Sequence, residues 1–278
     1  MKFGYGQIII AALLFLALVL NPVQLSTGAE LSNSEQGVRL ELLYSSGTLN
    51  SLARNILFAR TEQILLPPQR AVAAELPLPE LPELVYNGTV VDKVAITFDD
   101  GPYPGKTEQY LEILSQYGIE GTFFVVGEQA QRNPAQLQMI VEQGSELGSH
   151  SWAHGRLDKM PLELVLSDLK RVAELVYDIT GQEIKYIRPP YGRYSRAVIE
   201  AAGELKQQLV LWNVDPRDWD KPTAEQIVSR VMEQVRPGSI IILHEGHQNT
   251  IEALPLIIER LQGQGLQPVP VSELLRSY

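Results

Sequence analysis

Residues 94–126 read VAITFDDGPYPGKTEQYLEILSQYGIEGTFFVV, and this stretch decides the fold. Val94 to Phe98 is a short β-branched and apolar run, Thr107 to Tyr117 carries apolar residues at helical spacing, and Thr122 to Val126 is a second run of strand length. Strand, helix and strand in so short a span predict a right-handed βαβ unit with parallel strands. The alternation continues toward the C-terminus. Strand-like runs recur at Glu146 to Ser149, Lys185 to Ile187, Leu209 to Val214 and Ile240 to Leu243. Helical candidates lie at Pro134 to Gln143, Pro161 to Thr180, Ala197 to Glu204, Ala224 to Val235 and Thr250 to Gln262. The segment after Pro161 is the clearest, with Leu162, Val165, Leu166, Leu169, Val172, Ala173 and Val176 on one face. About six or seven repeats in one α/β domain fit a barrel related to the (β/α)8 type better than an open sheet.

Upstream of this block the pattern is different. Lys2 precedes an unbroken apolar run from Ile8 to Leu20, followed by Thr27 and Ala29 as small residues suited to a cleavage point. Residues 1–29 are therefore expected to be a secretory signal peptide or, if the flanks join the run, an N-terminal membrane anchor. Residues 30–89 read as an accessory segment. Helical patterning is weak from about Leu31 to Arg70 (Leu52, Ile56, Leu57, Ile64), and Pro67, Pro68, Pro77, Pro79 and Pro82 mark a stiff Pro-rich linker from Leu66 to Glu83. Residues 90–278 are expected to be the catalytic domain.

Composition excludes several chemistries. A formal charge of -10 and no clustered Lys and Arg argue against a nucleic-acid partner. The chain has no cysteine, so it can have no disulfide framework, thiolate nucleophile or Cys-ligated zinc. Any metal must be held by His, Asp or Glu.

The ionisable residues of interest all lie at or just past the C-terminal ends of the strand-like runs. Asp99 and Asp100 follow Phe98, His150 follows Gly148 and Ser149, Arg188 follows Ile187, Asp215 and Asp218 follow Trp212, and His244 follows Leu243. In a barrel that end carries the active site, so these groups converge although distant in sequence. Singly, each has an ordinary alternative. Asp99-Asp100-Gly101-Pro102 is also good turn chemistry. His150 and His154, at i and i+4, are either surface or core histidines or two imidazoles aligned on a helical turn, with an Asp completing three metal ligands and an open position for water. Arg188 is a surface arginine before a proline turn or a clamp that orients a carboxylate. Trp212 and Trp219 suit a core or a sugar platform. Tyr103 and Tyr194 have no claim beyond lying near the mouth. His247 is a weaker candidate than His244, and the pair lacks His-Glu-x-x-His spacing.

Thr97 to Pro102, His150-Ser151-Trp152-Ala153-His154, Arg188-Pro189-Pro190-Tyr191-Gly192, Asp215-Pro216-Arg217-Asp218-Trp219 and Leu243-His244 together resemble the ordered motifs of the polysaccharide deacetylase family, the NodB homology domain or carbohydrate esterase family 4. The resemblance spans about Val90 to Leu275 and implies a distorted (β/α)7 barrel. It implies Asp99 as general base, Asp100, His150 and His154 as metal ligands, and Arg188 as the partner of Asp99. It further implies that the Tyr191 amide serves an oxyanion site, that Trp212, Tyr191 and Pro190 contact substrate, and that Asp218 tunes His244, the general acid. Ser145, Gly155 and Glu245 stand where relatives often carry other residues, and none of them removes a ligand or a catalytic group.

The expected function is metal-dependent removal of N-acetyl groups from a GlcNAc-containing polysaccharide, peptidoglycan or chitin-type. The alternatives are an O-acetyl glycan such as xylan, another amide on the same fold, or a non-catalytic cell-wall glycan-binding protein. One divalent ion is expected, zinc before cobalt, nickel or manganese. The partner expected is a glycan, with a secreted, periplasmic or envelope-associated monomer.

Overall fold

The computed structural model describes residues 31–34, 37–40 and 84–276. The expected signal or anchor, the apolar positions from Leu52 to Ile64 and the Pro-rich linker lie outside these residues. Among the described residues, no helix is long and apolar enough to cross a membrane. The chain divides into two compact units, Met1–Glu75 and Leu76–Tyr278. In the first, β1 (Leu31–Ser34) and β2 (Gly37–Leu40) pair antiparallel as a hairpin, where weak helical patterning had been the expectation.

The second unit is the predicted parallel barrel. Its strands are β3 (Lys93–Asp99), β4 (Thr122–Val125), β5 (Glu146–Ser149), β6 (Tyr186–Ile187), β7 (Gln208–Leu209), β8 (Ile240–His244) and β9 (Gln267–Pro268). They run in the order β7-β6-β5-β4-β3-β8, all parallel, with β9 also on β3. A parallel bridge between Val214 and Ile241 ties the chain after β7 to β8, closing the ring. Val85 and Asn87 enter the same seam, bridging Val210 and Ser239. Residues expected to belong to the accessory segment are thus bonded into the barrel.

The run from Leu209 to Val214 is strand over only its first residue. Two of its carbonyls go elsewhere: Arg188 Nε donates to Val210 O at 3.2 Å and Arg188 Nη2 to Leu211 O at 3.0 Å. Carbonyls taken by a side chain are withheld from the strand ladder, so the regular strand ends early.

The helices are α1 (Thr107–Gln116), α2 (Gly127–Arg132), α3 (Pro134–Glu142), α4 (Leu162–Thr180), α5 (Arg196–Glu204), α6 (Ala224–Gln234), α7 (Gln248–Gly263) and α8 (Val271–Leu274). In α4, Val165, Leu169, Val172 and Val176 are buried, each contributing roughly 1.5–3 kcal/mol of transfer free energy. It stops at Gly181, whose φ of 73° is the left-handed conformation that glycine adopts freely. Neither α2 nor α8 was expected, because both are too short to show a helical period. The main core packs β3, β4 and β8 against α1, α4, α6 and α7 through Phe98, Phe123, Leu111, Val172, Ile227 and Ile257.

Candidate active site

The cavity at the C-terminal end of the strands has a volume of about 450 Å3 and is lined by Asp99, Asp100, His150, His154, Tyr191, Trp212, Asp215, Trp219, Ile242 and His244. Residues far apart in sequence meet here because parallel strands deliver all their C-terminal ends to one rim. In a regular strand, adjacent side chains point to opposite faces. Asp100 escapes that rule with a φ of 79°, so both aspartates line one cavity.

Asp99 is almost fully buried beside Arg188, which is wholly buried. Arg188 Nη1 donates to Asp99 Oδ1 at 2.8 Å and to Thr97 Oγ1 at 2.7 Å. Its guanidinium carbon lies 4.0 Å from the centre of the Phe124 ring. Burial pulls the Arg188 pKa below its ordinary value, and the Asp99 carboxylate opposes the change. Arg188 therefore lies beneath the cavity as the clamp of Asp99, rather than being a surface residue.

His150, His154 and Asp100 form the second group. Asp100 Oδ1 stands 3.6 Å from His150 Nε2 and 3.3 Å from His154 Nε2. One ligand atom from each of the three residues can be chosen so that all lie within 4.8 Å of one another. The site fits a divalent cation on two further observations. Asp100 Oδ1 is buried with no hydrogen-bond partner, an expensive arrangement unless something else satisfies it. His150 Nδ1 lies 2.7 Å from the Arg188 carbonyl, which fixes the proton on Nδ1 and leaves the Nε2 lone pair toward the cavity. Burial lowers the His150 pKa although Asp99 and Asp100 pull it up, which favours the neutral imidazole a metal requires. Two imidazoles and a carboxylate suit zinc and accept other first-row ions.

The helical turn expected for the histidine pair is not found. His150 N continues the β ladder to Val125 O at 2.9 Å, and Gly127 N and Glu128 N bond Ser151 O and Trp152 O at 3.0 and 2.8 Å. With those carbonyls taken, the segment cannot wind. It turns instead through Ser151 (φ 66°) and His154 (φ 52°), bringing the two rings to 5.0 Å between centroids.

The third group is His244 and Asp218. His244 Nδ1 lies 2.7 Å from Asp218 Oδ1, and Asp218 Oδ2 accepts from His244 N and Thr250 Oγ1, both at 2.8 Å. Burial alone would lower the His244 pKa. The hydrogen bond and charge of Asp218, with Asp99 and Asp100 beyond, outweigh burial and raise it to about 9.

Other expectations sort cleanly. Trp212 lines the cavity and Tyr191 is exposed at its edge with a φ of 62°. Pro190 is buried in the turn before Tyr191 and does not line this cavity. His247 occupies the N-cap position of α7 without a side-chain capping bond, and its carbonyl accepts from Tyr110 Oη. Tyr103 borders a side cavity of about 260 Å3 that shares Asp100 and His154. Tyr194 bonds Tyr86 at 3.2 Å. Glu245 is buried, accepts a hydrogen bond from Thr107 and is pushed up to about 8 by burial and then by Asp100. Trp219, weighed as a core residue or a sugar platform, lines the cavity; Asp215 lines it without having been assigned a role, and Ile242 was not singled out. Asp215 and Trp219 were within the quoted motif, which was the available signal.

Residues 87–210 match the family described as polysaccharide deacetylase. Peptidoglycan-N-acetylglucosamine deacetylase of Bacillus cereus is 39% identical over 188 residues, covering 66% of this chain and 88% of that protein. Peptidoglycan-N-acetylmuramic acid deacetylase PdaC of Bacillus subtilis is 36% identical over 181 residues, covering 65% of this chain and only 38% of that protein. The chain thus spans well under half the length of PdaC. Among solved structures, a carbohydrate esterase family 4 pseudoenzyme from Bacillus anthracis superposes with a TM-score of 0.68 at 28% identity, covering 70% of this chain and 69% of that one.

Proposed function

The chain belongs to the polysaccharide deacetylase family, and on that premise we propose that it hydrolyses N-acetyl groups from N-acetylglucosamine in a glycan, peptidoglycan first and chitin-type oligomers second. The observation that carries this reading is the arrangement of three groups around one cavity: Asp99 on Arg188, the Asp100, His150 and His154 cluster, and His244 on Asp218.

Asp100, His150 and His154 would hold one divalent cation, zinc in our reading. When bound, it supplies Lewis acidity to the acetamide carbonyl and acidifies water. Asp99 is the general base. Its Oδ1 is fixed by Arg188, and its Oδ2, 3.6 Å from His150 Nε2, is the atom placed to take the water proton beside the cluster. The Tyr191 amide steadies the developing oxyanion, a contact whose loss typically costs about 3–4 kcal/mol. His244, held charged by Asp218, gives its Nε2 proton to the departing amine, because a free amide anion is too basic to leave unaided. Trp212 and Trp219 offer aromatic faces to the sugar.

The test is acetate release from N-acetylglucosamine oligomers and from peptidoglycan, with and without chelator and restored zinc. Chelator-sensitive release that disappears in Asp99→Asn and His150→Ala supports the reading. Mass analysis of the muropeptides then assigns the lost acetyl to N-acetylglucosamine or N-acetylmuramic acid. Glycan binding without release, from zinc-loaded protein, would instead favour a non-catalytic role, as in a pseudoenzyme. Export belongs to the same proposal, supported by Lys2 and the apolar run Ile8 to Leu20. Fractionation of cells producing the chain tests it, and retention in the cytoplasm would sink it.

A further inference from the structure

The turn that carries His154 is strained at two residues, Ser151 (φ 66°) and His154 (φ 52°), and neither is a glycine. Such backbone persists only where its surroundings hold it. Two of the holding contacts come from the start of α2, where Gly127 N and Glu128 N bond Ser151 O and Trp152 O. The others come from α4, which contributes nothing to the cavity. Asp168 Oδ1 accepts the Trp152 N–H at 2.8 Å, and the Arg171 guanidinium carbon sits 3.4 Å from the centre of the Trp152 ring. The ring is also closed in by Gly127, where a Cβ would lie 2.5 Å from Trp152 Cε3. Trp152, between the two histidines in sequence, is thus gripped by backbone amide, carbonyl and ring together.

We propose that Asp168 and Arg171 are positioning residues for the His150 and His154 ligand pair, acting through Trp152, which they hold in the turn that presents both imidazoles to Asp100. The proposal rests on the reading that this cluster binds a divalent cation. Asp168 fixes the peptide through its oxygen acceptor, and Arg171 fixes the ring through its planar stacked face, a geometry that lysine does not reproduce. Loss of either lets the turn relax toward less strained backbone and spreads the histidine nitrogens, so ligands that arrive preorganised must be ordered by the ion instead.

The experiment titrates zinc alone into the metal-free full chain against a chromophoric chelator, and records the absorption of the cobalt-substituted protein. Asp168→Ala is expected to weaken zinc binding roughly tenfold to a hundredfold. Asp168→Asn keeps an oxygen acceptor and stays near the unaltered chain. Arg171→Ala, at an exposed side chain, weakens binding less and alters the cobalt spectrum. Val198→Ala, in a separate core cluster, lowers the melting temperature without touching affinity or spectrum, which separates positioning from general stability. Zinc affinity unchanged in Asp168→Ala, or lost equally in Asp168→Asn, overturns the role of Asp168. Should Asp168→Ala not fold, an unchanged affinity and spectrum in Arg171→Ala overturns the proposal. An unaltered chain that binds neither metal overturns the functional reading itself, which is a different result from binding that the variants leave intact.

Discussion

The imidazole of His244 sits mostly out of water, which disfavours its charged form, yet Asp218 at 2.7 Å raises its pKa to about 9. An unfolded histidine titrates near 6.5, so the folded value is the higher one. The stabilisation is therefore complete below about pH 6.5 and is lost as pH rises through about 9; the gap corresponds to ~3 kcal/mol. Removing the partner charge in Asp218→Asn should cost most of that stability at pH 6 and little above pH 10, measured by urea unfolding across the range. The same variant should move the alkaline limb of kcat/KM for deacetylation to lower pH, since His244 must carry the proton it donates. A limb that stays in place would remove His244 from the role of acid. Arg188 and Asp99 form a second residue-scale case. With both side chains buried, Arg188→Ala leaves a carboxylate stranded and should destabilise the fold by about 3–5 kcal/mol, read as a fall in the urea midpoint. These identities were legible in the chain because acids and histidines at strand ends stand out. Their partners were harder to read: nothing in the spacing of Asp168 or Arg171 announces a hold on Trp152, since that contact joins a helix face to a loop.

Among the elements, β5 shows how a strand can be specified by what it lacks. A Cβ on Gly148 would lie 2.5 Å from Phe124 Cδ1, and Phe124 supports the Arg188 guanidinium at 4.0 Å. Gly148→Ala should therefore cost about 1–3 kcal/mol in overpacking and lower deacetylase activity through the displaced arginine. A variant as stable and active as the unaltered chain would show that Phe124 yields freely. The start of α6 is held by a reciprocal cap, Gln226 N to Thr223 Oγ1 at 3.3 Å and Thr223 N to Gln226 Oε1 at 3.0 Å. Thr223→Ala should lose about 1 kcal/mol by thermal unfolding, without effect on the site. Long amphipathic helices such as α4 were read from sequence nearly to the residue, because a buried stripe repeats every turn. The strand expected at Leu209 to Val214 shrank to β7 because Arg188 competes for its carbonyls, and α2 escaped notice because its 6 residues are too few to show a helical period.

For the molecule as a whole, barrel closure depends on a seam that begins before the expected domain boundary. Val85 N bonds Leu209 O at 3.0 Å, Leu211 N bonds Val85 O at 2.7 Å and Gly88 N bonds Gly238 O at 2.7 Å. A chain starting at Leu84 keeps these bonds, and one starting at Val91 loses all three, which should cost about 3 kcal/mol at roughly 1 kcal/mol each. Equal melting temperatures for the two truncations would show the seam to be dispensable. The alternation of apolar runs and helical periods determined, from sequence alone, that the chain makes a parallel α/β barrel. The position of charged residues after those runs determined which end of it carries the chemistry. Both are local patterns, written in neighbouring residues by the periods of helix and strand. Only the tertiary structure decided that Val85 and Asn87 join the ring, that the histidines sit on a strained turn rather than a helix, and that Arg188 lies buried under Asp99. Each of those outcomes depends on which distant group takes a backbone carbonyl or fills a space, and such competition leaves no periodic trace in the chain.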